Sequence, residues 1–145
     1  MGWRFNPFTS NFDFVDTSST STVVDSATKL KITRIAQEAI VASELVRAFS
    51  TTHVALATGD STKQNAMVLG IADAGAAIGE TVDVILLGVV TDAIFSVFNL
   101  NDPLFLDVDG GITNVKRTAG YHVPVGKSLG GNDILFQSTN PTVIA

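Results

Sequence analysis

Cysteine is absent from the 145-residue chain, which excludes a disulfide framework, a thiol nucleophile and every cysteine-based metal site. No apolar run reaches the roughly 18 residues that a membrane-spanning helix needs. The first residues also lack the basic-then-apolar order of a secretory signal. The sequence is therefore expected to be soluble, made in the cytoplasm and without membrane contact. Charge is scarce as well: acids and bases make up 16% of the chain, against about 25% in ordinary soluble domains. Bases are scarcest of all. From Ser50 to Val115, Lys63 stands alone against eight acids (Asp60, Asp73, Glu80, Asp83, Asp92, Asp102, Asp107 and Asp109), and the whole chain carries a net charge of −5. Such a surface repels nucleic acid, so none is expected as a partner. The shortage of charge implies that part of the surface is meant to be covered by other chains.

What is present is unevenly distributed. Five of the eleven aromatics fall within the first fourteen residues: Trp3, Phe5, Phe8, Phe12 and Phe14. Pro7 and the short polar residues between them disfavour a helix, so residues 1–16 are expected to form an extended arm. Aromatics at this density either cover the protein's own core or dock on another chain. Their concentration, the presence of Arg4 and the polar stretch behind them favour docking, because aromatics and arginine dominate binding hot spots. Residues 17–28 open with six hydroxyl residues, Thr17 to Thr22, and read as a linker. The body spans 29–145, about one domain and large enough to bury a core without staples.

Within the body, short β-rich runs recur at His53–Ala57, Ala66–Ala72, Val82–Val90, Pro103–Val108, Tyr121–Val125 and Asp133–Gln137. Most are bounded by turn residues, such as Asn101-Asp-Pro103 and Gly130-Gly-Asn-Asp133. That spacing predicts an all-β fold, a compact barrel or sandwich of short antiparallel strands. Asp109-Gly110 reads as a hairpin turn, since a type I′ turn needs a positive φ that glycine accepts. The stretch from Leu30 to Phe49 has two readings. Ile32, Ile35, Ala39, Val46 and Phe49 keep a helical spacing, whereas Lys31–Ile35 and Leu45–Phe49 also fit strands around a turn at Ser43 and Glu44.

Motifs that would carry chemistry fall short of their requirements. Gly126-Lys-Ser128 lacks the glycine that a P-loop needs at position 121, which is Tyr121, and reads instead as a turn between two strands. Gly70, Gly75 and Gly79 do not make a dinucleotide fingerprint. Asp107-Val-Asp109-Gly110 lacks the further oxygen ligands of an EF-hand loop and reads as a turn. His53 and His122, the two histidines, sit in β-rich runs as cross-strand side chains. Neither belongs to a Gly-x-Ser-x-Gly elbow, and their spacing does not ask for zinc. No catalytic residue, metal or cofactor is expected.

Across most of the body the sequence resembles a small β domain of virion proteins of tailed phages, including head-decoration (cement) and fibre-type proteins. The similarity runs through Ile32-Thr-Arg-Ile-Ala-Gln-Glu-Ala39, Met67-Val-Leu-Gly-Ile-Ala72, Pro103-Leu-Phe-Leu-Asp-Val-Asp-Gly-Gly-Ile-Thr113 and Gly120-Tyr-His-Val-Pro-Val-Gly-Lys-Ser-Leu129. The N-terminal Trp3–Thr9 and Phe12–Phe14 also look like segments of phage structural proteins. The resemblance implies two strands joined by a loop for Leu30–Phe49. It further implies a non-enzymatic protein on the outer surface of the capsid, bound to the major capsid protein or other virion subunits. There the docking residues would be Trp3, Arg4, Phe5, Phe8, Phe12 and Phe14, and the assembly state a homotrimer. The second function class is a receptor- or glycan-binding module of a head or tail fibre. A third, a hydrolase, requires a serine and a carboxylate to converge on His53 or His122.

Overall fold

The structure is a computed structural model that describes residues 3–6, 11–14 and 29–144; Phe8 and the hydroxyl-rich linker lie outside the described residues. The described chain is all-β, as expected. The strands are β1 (Trp3–Asn6), β2 (Asn11–Phe14), β3 (Lys29–Ala36), β4 (Leu45–Ala48), β5 (His53–Leu56), β6 (Val68–Ala72) and β7 (Thr81–Thr91). They continue with β8 (Pro103–Leu106), β9 (Ile112–Thr113), β10 (Tyr121–His122), β11 (Pro124–Gly130), β12 (Asp133–Gln137) and β13 (Thr142–Val143). A 3-10 turn at Ala93–Val97 interrupts them. The ambiguous stretch resolves into β3 and β4. Glu38, Ala39 and Ala42, which favour a helix locally, lie in the connection, where Ile40 bridges to Ala76 and Glu38 Oε1 accepts the Leu56 N–H at 2.8 Å. Strand pairing overrides propensity here.

Five strands close a barrel in the order β3-β5-β4-β6-β7, with β7 pairing back onto β3. The expectation of purely antiparallel strands needs one correction: β3 and β5 are parallel, with Ile35 opposite His53 and Ala36 opposite Val54. Strand directions cannot alternate all the way round a ring with an odd number of members, so one seam must be parallel. A five-stranded barrel is narrow, and its lining is correspondingly small: Ala36, Val46, Val54, Ala72, Val82 and Val84 are buried together, with Ile40 and Ala76.

The sheet does not end at the barrel. From β7 it continues outward through β12, β11, β8 and β9, and this extension traps a second core against the barrel wall. Leu45, Ile71 and Ile85 from the ring meet Leu104, Leu106, Val123, Val125, Ile134 and Phe136 from the extension, and Phe95 drops in from the 3-10 turn. One residue lets β7 serve both cores. Lys31 pairs with Ile85 but Leu30 pairs with Leu87, so Leu86 is an extra residue in β7. Before this bulge, Val82 and Val84 face the barrel interior and Ile85 faces away. The extra residue shifts the alternation, and Val90 joins Ile85 in the outer core.

Three further details depart from the sequence expectations. The run Tyr121–Val125 is two strands, because Tyr121 and His122 pair with β13 whereas the chain from Pro124 pairs with β8 and β12, with buried Val123 between them. Gly126–Ser128 is no turn; it lies inside β11, with Gly126 paired to Phe136 on one side and Leu104 on the other. The hairpin at Asp109-Gly110 is real, with φ +86° at Gly110. Its connection spans residues 107–111 rather than two residues, since the Gly110 carbonyl reaches in to accept the Leu45 N–H at 2.7 Å.

Ser43 and Asp92 tie the barrel to the extension. The Ser43 hydroxyl, in a residue only 6% exposed, donates to Asp92 Oδ2 at 2.5 Å, while Asp92 Oδ1 accepts the Ile94 N–H and caps the 3-10 turn that carries Phe95. Both bonds stabilise the ionised form, the Ser43 bond more strongly, and hold the Asp92 carboxyl below its ordinary range. Ser43→Ala is expected to cost about 1–2 kcal/mol at pH 7. A carboxyl with a lowered folded-state pKa adds stability above its unfolded pKa and loses it as pH falls through the folded value. Urea unfolding should therefore show the Ser43→Ala deficit shrinking below about pH 4.

Candidate functional site

Of the docking residues expected from the sequence, Trp3, Arg4, Phe5, Phe12 and Phe14 lie on described strands and Phe8 does not. β1 and β2 form an antiparallel ribbon of their own, with Trp3 opposite Phe14, Arg4 opposite Asp13, Phe5 opposite Phe12 and Asn6 opposite Asn11. The extended arm is thus folded back on itself. Strand side chains alternate between faces, so positions 3, 5, 12 and 14 share one face, and Arg4 and Asp13 share the other. All four aromatic positions are directly opposed in pairs. A two-stranded ribbon is at best marginally stable alone in water.

The body adds exposed apolar groups that sequence reading did not identify. Leu30 and Leu87, 58% and 48% exposed, are direct cross-strand partners on β3 and β7. Ile94, Val97 and Leu100, in and just after the 3-10 turn, are also exposed. Among the described residues one ion pair forms, Lys31–Asp73 at 2.7 Å on the surface.

The histidines lie on different strands, His53 on β5 and His122 on β10. His53 Nδ1 lies 2.8 Å from Thr52 Oγ1 and 3.4 Å from Ser50 Oγ. No carboxylate is hydrogen-bonded to either imidazole among the described residues, so neither has the orienting acid of a Ser-His-Asp site. No group of three or more His, Cys, Asp or Glu is placed to hold a metal among those residues. His122 packs on Phe105, ring centroids 4.7 Å apart, and its buried Nδ1 has no hydrogen-bond partner.

Burial, and secondarily the charge of Lys116, lowers the His122 pKa. A histidine that resists protonation when folded leaves stability untouched above its unfolded pKa near 6.5. It withdraws stability as pH falls below that point, because the unfolded chain then takes up the proton first. His122→Phe, which keeps the ring contact and removes both the titration and the orphan nitrogen, is expected to flatten the decline in thermal midpoint between pH 7.5 and 5.5.

A cleft of about 470 Å³ is formed by Asp107, Thr113 and residues 115–119, including Lys116, Arg117 and Thr118. Sequence reading passed over these residues, although Lys116-Arg117 is the one adjacent pair of bases in the chain.

These elements define an all-β protein: a closed five-stranded barrel with a sheet extension and a separate aromatic ribbon. No family model matches the chain, and no curated protein matches it. Among solved structures it is similar to the N base of the head fiber gp8.5 in bacteriophage phi29, with a TM-score of 0.42 and 12% identity over 81% of this chain and 99% of that one. At that score the likeness says nothing of activity or partners.

Proposed function

We propose that this chain is a structural protein of a tailed-phage particle that decorates the outside of the capsid shell and stabilises it by attachment. The observation that carries this reading is the register of the N-terminal ribbon, which gathers Trp3, Phe5, Phe12 and Phe14 on one face. Buried in a groove of the major capsid protein or a neighbouring virion subunit, each would contribute about 1.5–3 kcal/mol. Binding that favours the assembled shell stabilises it by mass action. The low charge of the chain, its mean hydropathy of +0.34 and the exposed Leu30–Leu87 pair support further contacts between copies.

Closed rotational symmetry covers such surfaces without open-ended polymers, and the local threefold positions of a shell suit a homotrimer. The test is to add the full chain to shells that lack it and image them. Three copies around each local threefold, with the N-terminal ribbon against the shell, are the expected result, and light scattering should report trimers. Single, separated copies would refute the trimer, and no added density on the shell would refute the decoration role.

A further inference from the structure

We propose that the cleft between the 107–111 turn and the β9–β10 connection binds an acidic saccharide, with Lys116 and Arg117 taking its carboxylate and Asp107 and Thr118 its hydroxyls. The inference concerns the body and does not depend on how the N-terminal ribbon docks. At about 470 Å³ the cleft is within the range of small-ligand sites.

Its basic residues are not ion-paired: in a chain with net charge −5, neither Lys116 nor Arg117 forms an ion pair among the described residues. Arg117 is also held in place. Its Nε donates to the Ala119 carbonyl at 3.1 Å, and its side chain lies across two glycines: a Cβ on Gly59 would come within 3.4 Å of Arg117 Cδ, and one on Gly120 within 3.2 Å of Nη2. The Tyr121 N–H bonds the Gly59 carbonyl at 2.9 Å, which fixes this connection to the turn beneath it. With Nε committed to the backbone, the Nη groups are free to meet an anion, and a guanidinium positioned in advance loses little freedom on binding.

The remaining lining narrows the ligand. Asp107 Oδ1 accepts the Val108 N–H, while Oδ2 and the Thr118 hydroxyl have no partner among the described residues. A bare phosphate would meet repulsion from Asp107. A neutral sugar would leave two cations unmatched. No aromatic ring lines the cleft to stack a nucleotide base. A sugar acid supplies both an anion for the cations and hydroxyl donors for the carboxylate.

Calorimetric titration of the full chain with digalacturonate, galactobiose and inorganic phosphate tests this. Digalacturonate should bind at least about tenfold tighter than either comparator, as one or two charge-assisted hydrogen bonds would give. Lys116→Ala, at an exposed position chosen to leave folding intact, should weaken it about tenfold. Asp107→Asn should weaken digalacturonate and strengthen phosphate. Equal affinity for galactobiose would overturn the proposal, as would phosphate binding as tightly as digalacturonate or indifference to Lys116→Ala.

Discussion

Gly126→Ala is expected to destabilise the protein by about 3 kcal/mol or more, and to open the outer sheet before the barrel. A Cβ at this position would lie 1.9 Å from the Leu135 carbonyl oxygen and 3.0 Å from its carbon, and Gly126 holds φ at +141°. Backbone cannot give way as a flexible side chain can, so β11 and β12 would have to part. These strands carry Val125, Ile134 and Phe136 into the outer core, and the cost is that of losing their packing. Gly79→Ala provides the comparison. Its φ is +83° but a Cβ there would meet nothing within 4 Å, so only the conformational cost of about 1–2 kcal/mol applies. Urea unfolding of both variants, with hydrogen exchange on Gly126→Ala, would check this. Equal losses would mean that the close approach to β12 is not what requires glycine.

The same glycine shows where sequence reading stops. Turn residues and positive-φ glycines look alike in a sequence, and once a P-loop is excluded Gly126-Lys-Ser128 reads as a turn between two strands. What distinguishes it is the carbonyl of Leu135, a neighbour contributed by another strand. The run of β7, by contrast, is legible: Val82–Val90 reads as a β-rich stretch without any knowledge of the fold. The bulge at Leu86 is not, because it is defined by the register against Leu30 and Lys31. Closure of the barrel is of the same kind. Each of the five ring strands corresponds to a run recognisable in the sequence, β3 and β4 as one of two readings, yet the parallel seam between β3 and β5 follows from counting strands around a ring, and a single sequence does not give that count.

The candidate sites divide in the same way. Trp3, Phe5, Phe12 and Phe14 were visible by residue type and density, and their spacing of two within each pair is a strand signal in itself. That the two halves oppose one another is a tertiary fact. The cleft was invisible because its parts are separated: Asp107 comes from one turn, Lys116 to Thr118 from another, and Gly59, which makes room for Arg117, from a third. Only the adjacent bases in an acid-rich chain pointed towards it.

Replacing Phe5 and Phe12 together by Ser is expected to weaken attachment to the shell at least about a hundredfold while leaving the body folded. The two are directly opposed on the aromatic face of the ribbon. Removing two large apolar side chains from a buried interface withdraws about 3–6 kcal/mol, and 2.8 kcal/mol is already about a hundredfold. Arg4 and Asp13 supply the control, since they oppose one another on the other face. A charged pair that does not meet the shell contributes about 1 kcal/mol or less, so Arg4→Ala should change attachment less than about fivefold. Sedimentation of labelled protein with shells measures both, and the thermal midpoint reports on the body. If the Phe5/Phe12 variant attached as tightly as the parent, the aromatic face would not be the docking surface. If Arg4→Ala were the more damaging change, the ribbon would dock through its charged face, and the aromatics would cover the protein's own surface.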